Sequence, residues 1–237
     1  MTNNQRVAII TGGSQGIGAG LVAGYRKLGY AVVANSRNIP ASDDPMVLAV
    51  AGDIGEPGVG QQLVDTALDA FGRVDTIVNN AGIFIAKPFT DYTDEDYDAI
   101  TAVNLRGFFE LTRAGIAAIG THGDGGHIVS VSTSLVDKAS SQVPSVLASL
   151  TKGGLNAATR SLAIEYAAAG IRSNAVALGI IRTPMHAPET HEFLEQLHPV
   201  GRMGDVADVV EAVLYLENAP FVTGEILHVD GGQNAGH

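Results

Sequence analysis

The strongest constraint on this 237-residue chain is a rhythm of short, mostly apolar runs: Val7–Thr11, Ala31–Asn35, Val47–Ala51, Thr76–Asn79, His127–Ser132, Arg172–Val176 and Ile226–Val229. Continuous runs of this length, without polar alternation, read as strands buried on both faces. Between them lie the helical stretches Gly16–Leu28, Val59–Phe71, Asp94–Ile119, Ser145–Ala169 and Val206–Leu216. Thr93 offers a helix cap with Asp96 in the first turn, Pro144 suits a first helical position, and Gly170 suits a helix stop. The alternation predicts an α/β fold: a doubly wound parallel sheet of about seven strands with helices on both faces. No repeat, low-complexity segment or linker divides the chain, so residues 1–237 are expected to form one domain. Such sheets hold ligands beyond the carboxyl ends of their strands, at the switch point.

The formal net charge is −11, a surface that repels phosphate backbones and argues against a nucleic-acid partner. No cysteine is present, which excludes disulfides, thiolate metal sites and a cysteine nucleophile. The first residues are polar, and no apolar run approaches the ~20 residues needed to span a bilayer. These features predict a cytoplasmic protein without a membrane partner.

Val7–Thr11 leads directly into Gly12-Gly13-Ser14-Gln15-Gly16-Ile17-Gly18 and then a helix. Glycines there permit a tight turn and let backbone N–H groups approach a pyrophosphate, which the positive end of the helix then faces. The second strand ends Ala34-Asn35-Ser36-Arg37, and no acid lies between Tyr30 and Pro40. An acid near this point suits the ribose 2′-hydroxyl of NAD; an arginine suits a 2′-phosphate. The expected cofactor is therefore NADP (NADPH) rather than NAD. Asp53 ends the next strand and either touches the adenine or caps the following helix, with Glu56 in capping-box spacing.

With these stretches in view, the chain resembles the short-chain dehydrogenase/reductase family over nearly its whole length. The resemblance is carried by Thr11-Gly12 through Gly16-Ile17-Gly18, Asn79-Asn80-Ala81-Gly82, Val103-Asn104-Leu105, Thr151-Lys152-Gly153, Gly179 to Thr183, and Val229-Asp230-Gly231-Gly232. It implies a Rossmann-type seven-stranded sheet, a nicotinamide cofactor, hydride transfer between a carbonyl and an alcohol, and a homo-oligomer, commonly a tetramer, otherwise a dimer. The implied cofactor contacts are Thr11, Gly12, Ser14, Gln15, Gly16, Ile17 and Gly18 in the first turn. Ser36, Arg37, Asp53 and Ile54 follow, then Asn80, Ala81, Gly82, Lys152, Gly179, Ile181 and Thr183. Asn104 would hold a water in the proton relay, or satisfy backbone groups inside its own helix. Lys152 would bind the nicotinamide ribose and lower the catalytic tyrosine's pKa, or be a plain surface lysine. Thr183 would bond the carboxamide.

The family's tyrosine lies four residues before the lysine, one helical turn away on the same face. Ala148 stands at that position. None of the six tyrosines replaces it by sequence position. Counted along its strand, Thr133 falls where the family has its serine; the Ser134–Pro144 loop is longer by about two residues, a count resting on the resemblance. Thr133 and Ser134 are both candidates for the substrate-facing hydroxyl, Thr133 preferred. Leu150 and Leu178 also depart from the pattern. Several departures together favour a naturally reshaped site over a single engineered knockout. The substitute acid is Lys152 through a water, Lys138 or Asp137 of the longer loop, or His186.

Thr183 to Pro199 is expected to form a mobile flap over a small carbonyl or alcohol substrate. Its His186, His191 and His198 lack zinc-helix spacing, so no metal is expected. The function expected is an NADP-dependent oxidoreductase. The alternatives are a catalytically silent NADP-binding relative and an engineered inactive variant.

Overall fold

The computed structural model describes residues 5–236. Seven strands, β1 (Val7–Thr11), β2 (Ala31–Ser36), β3 (Val47–Ala51), β4 (Thr76–Asn79), β5 (Gly126–Thr133), β6 (Ile171–Leu178) and β7 (Ile226–Val229), form one sheet in the order β3-β2-β1-β4-β5-β6-β7. Every pairing is parallel. The sheet reverses direction of growth between β1 and β4, which opens a crevice at their carboxyl ends.

Each of the central strands β1 and β4 is buried along its whole length, whereas the edge strands β3 and β7 are mostly half-buried. One face is covered by α1 (Gly16–Lys27) and α7 (Val206–Asn218), whose Leu21, Tyr25, Val209, Val213 and Leu216 pack on Ala8, Ile10, Val32 and Val78. The other carries α2 (Val59–Phe71) and α4 (Gly107–Gly120), with Leu63, Val64, Ala67 and Leu111 on Ile9, Val33 and Ile77. Helix α5 (Val146–Glu165) lies over β5 and β6 on this second face. The remaining helices are α3 (Asp94–Thr101) and the short α6 (His191–Glu195).

Local chemistry sets most boundaries. Thr93 caps α3 in a complete capping box with Asp96. Gly170 closes the turn after α5 at φ 71°, a left-handed conformation that favours glycine. Beyond shifts of a few residues at the ends of other elements, three features differ from the sequence expectation. The stretch 94–119 is not one helix: a π-turn at Ala102–Arg106 separates α3 from α4. Pro144 is not the first helical residue, because Ser145 is the N-cap of α5. Asp53 does not cap α2, which begins at Val59 behind Gly58; its Oδ1 instead accepts from the Gly55 N–H at 2.9 Å.

Candidate active site

The crevice begins at the exit of β1. Gly12 adopts φ 68°, and a Cβ there would lie 2.7 Å from Asn80 Nδ2. A Cβ on Gly18 would lie 1.9 Å from the Gly12 carbonyl oxygen, so this turn closes only with glycine at both positions. Gln15 is the N-cap of α1 and makes no side-chain cap, and no acid stands in the first turn. The first N–H groups of α1 are therefore open to an anion, with no carboxylate to repel it. A dinucleotide's diphosphate fits this cradle.

The end of β4 is stitched to β1. Thr11 Oγ1 accepts from the N–H groups of Asn80 at 3.1 Å and Ala81 at 3.0 Å, and Asn80 Nδ2 donates to the Thr11 carbonyl at 2.8 Å. Asn79 Nδ2 donates to Thr112 on α4 at 3.0 Å. On the other side of the turn, Ser36 Oγ donates to Ser14 Oγ at 2.9 Å, at the end of β2. Beside this pair Arg37 is exposed and makes no ion pair among the described residues. Asn35 Nδ2 donates to the carbonyls of Val50 and Gly52, fixing the end of β3 beneath. Buried Ile54 packs where Gly107 admits no side chain, since a Cβ there would lie 3.0 Å from Ile54.

A second cluster lies at the carboxyl ends of β4 and β5. Asn104, inside the π-turn, accepts from the Ile83 N–H at 3.0 Å, donates to the Ile83 carbonyl at 3.1 Å and to Thr151 Oγ1 at 3.2 Å. It satisfies the loop after β4 rather than its own helix. Lys152 is no surface lysine: its Nζ donates to the Val131 carbonyl at 2.7 Å. A Cβ at Gly82 would lie 3.0 Å from Lys152 Nζ and 3.3 Å from Asn104 Oδ1, so the three residues converge on one point. Burial without an anionic partner lowers the Lys152 pKa to about 8.

The two hydroxyl candidates separate. Ser134 is buried and donates to the Leu178 carbonyl at 3.2 Å and to Gln233 Oε1 at 3.0 Å. Thr133 is half-buried at the end of β5, with its Oγ1 accepting from the Leu135 N–H at 3.3 Å. Ala148 is fully buried in an apolar cluster with Ile100 and Leu147, against which Ile83 and Tyr92 pack. Tyr92, distant in sequence from Ala148, donates its hydroxyl to the Ile85 carbonyl at 2.7 Å.

The start of the segment 183–199 crosses the glycine turn. A Cβ on Gly16 would lie 3.3 Å from Thr183 Cγ2. Ile181 is buried and bridges to Gly204. Gly179 admits no side chain, since a Cβ would lie 2.8 Å from His198 Nε2. His198 holds this point: Nε2 accepts from the Ile180 N–H at 2.9 Å and Nδ1 donates to the Leu194 carbonyl at 3.0 Å. That pattern needs a neutral ring, consistent with burial pulling its pKa down. His186 bonds the Ile181 carbonyl through Nδ1 and is likewise shifted down by burial. The role of His198 in the fold depends on a contact with Ile180 that spacing along the chain does not reveal. Asp137 faces His228 of β7 at 3.0 Å. Among the described residues, no three His, Asp or Glu side chains converge as a metal site. No helix there is long and apolar enough to cross a membrane.

A parallel sheet with this strand order and a glycine turn leading from β1 into α1 defines a Rossmann-type α/β protein. The family model described as enoyl-(acyl carrier protein) reductase matches residues 12–234. The chain is 36% identical to a (2S)-[(R)-hydroxy(phenyl)methyl]succinyl-CoA dehydrogenase subunit BbsD of Thauera aromatica, over 97% of this chain and 96% of the relative. It is 37% identical to the granaticin polyketide synthase putative ketoacyl reductase 2 of Streptomyces violaceoruber, over 95% of each. Among solved structures, a 3-ketoacyl-(acyl-carrier-protein) reductase from Brucella melitensis complexed with NADH superposes with a TM-score of 0.89 at 31% identity, covering 98% of this chain and 100% of the other. A blue fluorescent protein from a metagenomic library in complex with NADPH gives 0.86 at 30% identity, covering 98% and 99%. The chain belongs to the short-chain dehydrogenase/reductase family.

Proposed function

We propose that this protein is an NADP-dependent oxidoreductase that transfers a hydride between the nicotinamide and a small carbonyl or alcohol substrate. The observation that carries the reading is the β1–α1 cradle, which meets the acid-free end of β2 where Ser14 and Ser36 are bonded and Arg37 makes no ion pair among the described residues. When bound, the cofactor supplies the hydride. The Gly12–Gly18 turn and the first turn of α1 hold the diphosphate, and Ser36 and Arg37 meet the 2′-phosphate. Asp53 and Ile54 border the adenine. Asn80, Ala81 and Gly82 support the nicotinamide half, Lys152 its ribose, and Gly179, Ile181 and Thr183 its carboxamide side. Thr133 faces the substrate oxygen, because Ser134 is already engaged with Leu178 and Gln233. The relatives named for NADH and NADPH support a nicotinamide cofactor in either form. The chain works as one domain in a homo-oligomer, with 183–199 as the flap.

The test is nucleotide binding by calorimetry, followed by NADPH oxidation against a panel of aldehydes and ketones, in this protein and in Ala148→Tyr. NADPH binding with turnover in the unaltered protein supports the proposal. Firm binding with no turnover in either protein selects a silent binding protein. Turnover only in Ala148→Tyr marks an inactivated relative, and absence of binding removes the proposal.

A further inference from the structure

We infer that the Lys152 ammonium is itself the acid that protonates the reacting oxygen, in place of a phenol. This inference rests on the hydride-transfer reading above. The position one helical turn before Lys152 is Ala148, which carries no proton and is packed against Ile100 and Leu147. Lys138 lies toward the C-terminal end of the chain, its Nζ 3.7 Å from where a Cβ on Gly236 would sit, and the other acids near the cleft are committed elsewhere. Tyr92 reaches the Ala148 cluster but gives its proton to the Ile85 carbonyl at 2.7 Å. Ser134 donates to Leu178, Asp137 faces His228, and His186 is bonded to the Ile181 carbonyl. The Thr133 hydroxyl is a donor but too weak an acid to release a proton near neutrality.

Lys152 differs from all of these. An ammonium has three N–H groups, and among the described residues only one is directed, to Val131 at 2.7 Å. The amine sits against Gly82, where a Cβ would lie 3.0 Å from Nζ, so only glycine lets the amine approach the loop after β4 this closely. The elements packed around it are the loop after β4, the π-turn and β5. They present Gly82, Asn104 and the Val131 carbonyl, none of them charged. Half-buried, with its amine desolvated and no counter-ion among the described residues, the ammonium falls to about 8, within the range where a general acid is effective at neutral pH.

The step balances. In reduction the carbonyl carbon gains the hydride and the oxygen gains one Nζ proton. An N–H bond breaks, an O–H bond forms, and a neutral amine remains bonded to the Val131 carbonyl. The amine regains its proton from solvent. Oxidation of an alcohol runs the same sequence backwards, with the amine as base.

The experiment has two readouts. The first needs no cofactor: 13Cε,15Nζ-lysine labelling and an NMR titration of the unaltered protein. One lysine titrating near pH 8, lost in either Lys152→Arg or Lys152→Met, is expected. A Lys152 titrating near 10 overturns the inference. The second is the pH profile of carbonyl reduction. The rate constant at saturating substrate is expected to be level below pH 8 and to fall tenfold per pH unit above it. Lys152→Arg keeps a cation for nucleotide binding but should lose about 10²–10⁴-fold in rate and lose the alkaline limb. Retention of rate and limb in Lys152→Arg overturns the inference while leaving the oxidoreductase reading intact. Firm nucleotide binding with no reduction of any carbonyl overturns both.

Discussion

His127 Nδ1 lies 2.9 Å from a carboxylate oxygen of Glu217, and neither side chain reaches solvent. The same carboxylate accepts from Tyr25 at 3.0 Å, Tyr30 at 2.7 Å, Thr76 at 3.1 Å and Arg6 at 3.2 Å. Asn174 Nδ2 donates to His127 Nε2, so the ring is neutral with its proton on Nδ1; burial pulls its pKa down. One anion at the end of α7 thus ties α1 and the amino ends of β1, β2, β4 and β5 together, at the end of the sheet opposite the crevice mouth. Glu217→Ala leaves these donors unpaired and is expected to cost about 3–5 kcal/mol, read from the denaturant midpoint. Burial opposes ionisation of Glu217, but His127, Tyr30 and Arg6 prevail and hold it at about 2 against an ordinary 4.5. A group with a depressed pKa stabilises the fold above its unfolded value. This contribution is therefore full above pH 4.5 and lost as the pH falls toward 2, a loss absent in Glu217→Ala.

Gly18→Ala places a methyl 1.9 Å from the Gly12 carbonyl, a backbone atom that cannot swing aside. The turn must open. Expected are loss of nucleotide binding in calorimetry and a stability loss of about 1–3 kcal/mol.

Thr133 and Ser134 make opposite predictions. Ser134→Ala strands the Leu178 carbonyl and lowers stability by about 1–3 kcal/mol with little change in rate. Thr133→Ala leaves stability within about 0.5 kcal/mol and lowers kcat about 10–100-fold. Thermal melts beside steady-state kinetics separate the two; the reverse pattern would assign the substrate-facing hydroxyl to Ser134.

Arg37→Ala should weaken NADPH about 10–100-fold, the worth of a lost charge-assisted contact, and leave NADH unchanged. Equal weakening of both would remove the argument for the 2′-phosphate.

Strands β1, β3, β4 and β7 begin and end where their apolar runs do; for β1 and β4, covered on both faces, no other composition is open. The glycine turn was equally legible, since Gly12 and Gly18 answer to local sterics. The π-turn was not, because Asn104 finds its partner at Ile83, across a loop. The contact between Tyr92 and Ala148 also depends on how α3 and α5 approach each other, and nothing in either segment's periodicity encodes it. The Glu217 cluster draws on Arg6, Tyr25, Tyr30, Thr76 and His127, which read singly as ordinary surface or core residues. Only the parallel register brings their strand starts to one place.

Gln233 binds two loops at once: its Oε1 takes the Ser134 hydroxyl and its Nε2 reaches the Leu197 carbonyl at 3.1 Å. The Gly179 N–H, just before the flap, waits in the same way for the Val229 carbonyl at 3.0 Å. During synthesis a nascent chain can pair β1, β2 and β4 early, yet both walls of the cleft stay unanchored until these late residues emerge. A chain ending just ahead of Val229 keeps nearly all of the sheet's strands but loses the contacts that hold the Ser134, Gly179 and Leu197 segments.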